Sequence, residues 1–149
     1  MPWRIQRIVQ SLDLEERILN GAVIFSLISL MFPWMSGELF GGDNVTYYAF
    51  SFYTSFLGIA IAILLLCLLL ITLIPLLGGP TIFRRRTKET VRLCLSGEAA
   101  ILTLASLSVL TKVTYELTSN DMRYGIYCLL VGSLISTLYC FLKWQECRQ

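Results

Sequence analysis

The chain has 149 residues, of which 56% are hydrophobic and only 15% charged, with a formal net charge of +2. Soluble domains run at roughly 45–50% apolar and about 25% charged, so a mean hydropathy of +0.69 indicates a membrane protein, with one domain at this length. Histidine is absent, which removes imidazole ligands for haem, zinc or copper and the usual base of serine and cysteine nucleophile systems.

The five cysteines (Cys67, Cys94, Cys128, Cys140 and Cys147) form no CxxC pair, and none falls in an outer loop. They read as small apolar space-fillers, and neither a disulfide framework nor a metal or other cofactor is expected.

Residues 1–17 read as a cytoplasmic amphipathic segment. Within 3–12, Ile5, Ile8, Val9 and Leu12 share one helical face and Arg4, Arg7 and Ser11 another. Such a helix lies in the headgroup plane or packs on its own bundle, and both readings are open. Asp13 followed by Glu16 has the spacing of an N-cap and its returning acid, so a helix is expected to start there.

A four-span membrane domain is expected over 18–143. Its first span, 18–35, carries no charge and ends on Pro33 and Trp34, a helix-stopping proline and a ring suited to the headgroup level. The acidic leader and the lack of an A-x-A site favour a retained span over a cleaved signal peptide. Residues 36–44 read as a polar, glycine-rich outer loop, and Asn44-Val45-Thr46 is a glycosylation sequon that the rest of the chain does not call for. An aromatic patch follows. Trp34, Tyr47, Tyr48, Phe50, Phe52 and Tyr53 suit either an interfacial belt or a docking surface.

The second span, 57–78, is almost wholly Ile and Leu and ends at Gly78-Gly79-Pro80. Its uniformity suggests a lipid-facing helix. The basic cluster Arg84, Arg85, Arg86, Lys88 and Arg92 comes next. It is read as a topological signal that also attracts anionic lipid headgroups on the cytoplasmic side; nucleic acid is not expected as a partner. The third span, 93–111, carries Ser96, Ala99, Ala100 and Thr103, and the fourth, 124–142, carries Gly132 and Ser136. These small residues allow helix backbones to approach closely, so both spans are expected inside the bundle or at a subunit contact. Residues 144–149 form a short cytoplasmic tail. With the N-terminus inside, ten of the twelve basic residues are cytoplasmic, and the positive-inside rule then sets an N-in, C-in topology.

Glu98 is the one ionisable residue within an expected span, six residues or about 9 Å past Arg92. An intramembrane acid suggests a proton carrier, an ion ligand or a counter-charge. The structural alternative is that hydroxyls of Thr137 or Tyr139, or a snorkelling arginine, satisfy it.

Four spans with both ends inside and a larger first outer loop resemble the plan of claudins and tetraspanins. The claudin loop carries a Trp…Cys-Cys signature, however, and this one has no cysteine; tetraspanins have a large cysteine-bearing second outer loop, whereas Lys112 to Arg123 is short and has none. The size and the single embedded glutamate are similar to the small multidrug-resistance transporters, whose glutamate lies in the first span rather than the third. Phe32-Pro33-Trp34 before a glycine-rich loop is similar to many uncharacterised bacterial four-span proteins. No family is assigned on these features.

The expected fold is therefore an all-α bundle of four transmembrane helices preceded by a short amphipathic helix, in a membrane that is expected to be the bacterial plasma (inner) membrane. The expected function is that of a non-enzymatic accessory, scaffold or assembly subunit that packs against other membrane proteins. The alternative is a homo-oligomeric ion channel or small transporter with a pathway passing Glu98. An enzyme acting on lipid would need a nucleophile with a base, a metal cluster or paired acids, and the spans offer one acid.

Overall fold

The computed structural model describes residues 14–39, 43–51, 54–76, 85–116 and 120–148. The amphipathic segment expected over residues 3–12, the cap at Asp13, the stop at 78–80 and Arg84 lie outside them, as do Phe52 and Tyr53.

Pro33 governs the end of the first helix. A proline disfavours helical backbone at the residue before it, and α1 runs from Leu14 to Ser29. A short turn follows, in which the Leu30 and Met31 N–H groups donate to the Leu27 and Ile28 carbonyls at 3.3 and 2.9 Å. The expected first span of 18–35 is thus shortened, because Met35 already belongs to a strand. At 16 residues α1 is about 24 Å long.

The segment expected to be an outer loop is instead a sheet. Strands β1 (Met35–Leu39) and β2 (Asp43–Tyr47) form an antiparallel hairpin, with Met35 opposite Tyr47 and Leu39 opposite Asp43. The residues between them read Phe40-Gly41-Gly42, and a short glycine-bearing connection is what a tight hairpin requires. Strand β3 (Asn120–Met122) pairs with the other edge of β1, giving the order β2-β1-β3. The two connections at this end of the molecule are therefore one structure.

The remaining helices are α2 (Ser55–Leu76), α3 (Arg85–Glu116) and α4 (Tyr124–Glu146). All three are long and apolar enough to cross a membrane, and they mark a membrane protein. At 32 residues α3 outruns the expected span of 93–111 at both ends, where Arg, Lys and Glu favour helix and no proline or glycine stops it. The helices pack in the cyclic order α1-α2-α3-α4, with α4 against both α3 and α1.

Leu19 and Val23 of α1, Ile61, Leu65 and Leu68 of α2, Ala99 of α3 and Ile126 and Leu129 of α4 fill the core. The opposite faces are apolar as well. On α2, Phe56, Ile59, Ile63, Leu66 and Leu70 are exposed, and on α4 Val131, Leu134 and Leu138. An apolar exterior of this extent suits hydrocarbon rather than water.

Trp34 is 0% exposed, not a headgroup-level ring. Its indole Nε1–H donates to the Ser29 carbonyl at 3.4 Å, and its backbone joins the sheet: Trp34 N–H donates to Tyr47 O at 2.8 Å and Trp34 O accepts from Arg123 N–H at 2.9 Å. Proline had broken the helix and freed these groups for strand pairing, so the ring turned inward with them. Gly125, at the start of α4, makes room for this corner. A Cβ there would stand 2.7 Å from Pro33 O and 3.0 Å from Trp34 Cδ1.

Gly125→Val therefore forces apart the α1 terminus and α4, and is expected to destabilise the protein in detergent by about 1–3 kcal/mol, as overpacking does. Gly21, in contrast, has nothing within 4 Å of a Cβ, and Gly21→Ala is expected to be neutral or to stabilise by up to about 1 kcal/mol through helix propensity. Denaturant titrations of the two variants check the pair.

Candidate functional site

At the end of the bundle opposite the sheet, the four helices bring ionic groups together in the interior. Arg92 of α3 is 0% exposed and Glu89, one turn before it, 5%. Arg92 Nη1 donates to both Glu89 carboxylate oxygens, at 3.0 and 3.2 Å. Arg92 Nη2 donates to Thr72 Oγ1 of α2 at 2.8 Å, while that hydroxyl donates to the Leu68 carbonyl at 3.1 Å. Glu16 of α1 lies across the bundle with Oε1 3.7 Å from Arg92 Nη1, and Lys143 Nζ of α4 is 3.8 Å from the same oxygen. One guanidinium thus links α1, α2 and α3 directly and α4 through Glu16.

The site is ionic without being fully satisfied. Arg92 Nε and both ends of Asn20, which is buried one turn along α1 from Glu16, find no hydrogen-bond partner among the described residues. Thr72 is the one hydroxyl in the run Leu57–Gly78, and it stands where the arginine needs an acceptor.

One expectation is corrected here. Arg92 is not part of a headgroup-facing basic cluster; desolvated as it is, only a carboxylate and a hydroxyl within reach make its burial tolerable. Of the rest of that cluster, Lys88 is half-buried on α3, Thr87 beside it is exposed, and Arg85 and Arg86 open the helix. The first helix starts at Leu14, where the Asp13–Glu16 spacing places a start, and Glu16 also faces Arg92 and Lys143. The hidden group of four (Glu16, Thr72, Glu89 and Lys143) had a partial signal in the sequence, the i, i+3 spacing of Glu89 and Arg92.

Glu98 is not in this cluster. It lies on the exposed face of α3, and no hydrogen bond or ion pair joins it to a described residue. Of the two hydroxyls expected to satisfy it, Thr137 is occupied elsewhere, its Oγ1 within hydrogen-bonding reach of the Ser96 and Ser133 carbonyls at 3.0 and 2.8 Å, and no hydrogen bond joins Tyr139 to it among the described residues. Its neighbours outward along the helix, Ile101 and Leu104, are exposed and apolar.

The small residues picked out for helix packing are all internal. Ser96, Ala99, Ala100, Thr103 and Ser136 are buried, and Gly132 faces α1, where a Cβ would collide with Ser26 Oγ. Buried hydroxyls donate to their own helices: Ser26 to Ala22 O at 2.9 Å, Thr103 to Ala99 O at 2.8 Å and Ser106 to Leu102 O at 2.9 Å. Each spends its proton locally and packs as a small, nearly apolar group. Of the aromatic patch, Tyr48 and Phe50 are exposed near the sheet and Tyr47 is half-buried. At the opposite end, Trp144 stacks on Phe141 and carries the Arg148 guanidinium 4.6 Å from its ring centre.

Comparison with protein-family models, with curated proteins and with solved structures gives no match for this chain.

Glu89→Gln leaves a fully buried guanidinium without its nearest counter-charge, and stability in detergent is expected to fall by about 3–5 kcal/mol. The double variant Glu89→Met/Arg92→Met removes both charges and is expected to lose much less. Equilibrium unfolding of the single and double variants checks this, and additive losses would refute the pairing.

Proposed function

We propose that the chain is a four-span integral membrane protein with both ends in the cytoplasm, which serves as a non-enzymatic accessory or scaffold subunit of another membrane protein. In this reading α1, with the turn that follows it, is the fourth span, and the membrane is the plasma membrane of a bacterium. The up-down-up-down arrangement supports the topology, since Glu16, Arg92 and Lys143 share one end and the sheet occupies the other.

The observation that carries the functional reading is Glu98, a carboxylate on the outside of an apolar helix with no described partner. An acid costs about 2.5–3.5 kcal/mol at a helix centre on insertion scales and somewhat less at the shallower position of Glu98, and that cost is relieved when a second protein covers it. The interior hydroxyls argue against a conduit through the bundle, because their donors are committed to their own helices. Anionic lipid headgroups are proposed as ligands of the residues around 84–88, not of Arg92.

Native mass spectrometry of the protein released gently from its own membrane tests the assignment. The expected result is a stoichiometric complex with an unrelated membrane protein. A closed ring of this chain alone would replace the accessory reading with a channel or transporter whose path passes Glu98 between copies. A monomer carrying only lipid would overturn both.

A further inference from the structure

We infer that the exposed face of α3 is a docking seam for one membrane-crossing helix of the partner, and that this helix carries a lysine or arginine at the depth of Glu98. The inference rests on the accessory reading above and names the chemistry of the contact.

The exposed positions Cys94, Glu98, Ile101, Ala105, Ser108 and Lys112 follow one another at intervals of four, three, four, three and four residues. That is the alternation of a heptad seam, whose period of 3.5 residues keeps one line of side chains facing a neighbouring helix. Tyr115, three residues further and 87% exposed, continues it. Cys94, Ala105 and Ser108 on this line are small. Beside it, Gly97 has open space where a Cβ would stand, so a second backbone can come close, as helices in lipid require. A shallow groove between Leu104, Leu107 and Tyr115 runs along the outer half of the same line.

Charge decides the occupant. Lipid chains offer Glu98 no counter-charge, and the chain's nearest buried cation, Arg92, is held by Glu89 and Thr72. A second copy in the same membrane orientation would pack its seam parallel to this one, and in a parallel seam equivalent layers meet. It would set Glu98 against Glu98, and two adjacent carboxylates disfavour one another's ionised form. A lysine or arginine from a different protein supplies the opposite charge and the donors that the carboxylate lacks.

A photoreactive amino acid in place of Ile101, one turn from Glu98 and 67% exposed, tests the seam in the full chain within its own membrane. The crosslinked peptide is then identified by mass spectrometry. The expected product is a membrane-crossing helix of another protein with a lysine or arginine within one turn of the crosslink. Its yield is expected to fall about tenfold or more in Glu98→Leu, since the partner's cation is left uncompensated. In Glu98→Arg it is expected to return when the partner's basic residue is changed to glutamate. A peptide of this same chain, a partner helix without a basic residue, or lipid alone would overturn the inference. A partner found by native mass spectrometry with only lipid crosslinked at Ile101 would leave the accessory reading standing and reject this seam.

Discussion

The buried guanidinium of Arg92 is the point at which the four helices are tied to one another. A guanidinium with no exposed surface tolerates very few arrangements, since each missing contact leaves a desolvated charge or donor. Here the contacts come from Glu89 on the same helix, Thr72 on α2 and Glu16 on α1, with Lys143 of α4 behind Glu16. The apolar faces cannot do this alone. Rows of leucine and isoleucine slide past each other with little penalty, and a helix made mostly of them, such as α2, has little preferred register of its own. Thr72 supplies one.

A buried pair of this kind adds little net stability over an apolar core, while breaking it is expensive. Register comes instead from the reach of Arg92 to Thr72 and Glu16 on other helices, reinforced by the close approach of α1 and α4 at Gly132 and Gly125. The molecule accordingly divides its polar groups in two. Inside, charges face charges and hydroxyls fold back onto their own carbonyls. On the exposed side of α3, Glu98 stands with no described partner, on a line of regularly spaced exposed residues.

The helical framework was legible in the amino-acid sequence because each of the last three spans is a long apolar run bounded by charge, and composition alone carries that signal. The small residues of α3 and α4 could be placed inside for the same reason. The ends were harder. Pro33 marked a stop, but hydropathy kept the first span running to Met35, since Trp34 and Met35 are apolar whether they lie in a helix or a strand. The sheet escaped because its strands are short and half-polar and one edge of β1 is paired across more than eighty residues of sequence, although Gly41-Gly42 before Val-Thr-Tyr is a recognisable hairpin signal. Arg92 was misread because a basic residue at the edge of a span looks alike whether it faces headgroups or turns inward. Only the position of Thr72 and Glu16 in space separates the two, and that information is tertiary.

The sheet also imposes an order on biogenesis. β1 lies at its centre, so the hairpin with β2 can close as soon as residue 47 has emerged, but the other edge has no strand to meet until residues 120–122 exist. At about 5–20 residues per second, the nascent chain carries that open edge for several seconds, while α2 and α3 are being made. An unpaired edge is a template for wrong pairing, and here it is only three residue pairs long. The last helix therefore does more than complete the bundle: with Arg123 reaching back to Ser36 at 2.7 Å, it latches the first third of the chain shut.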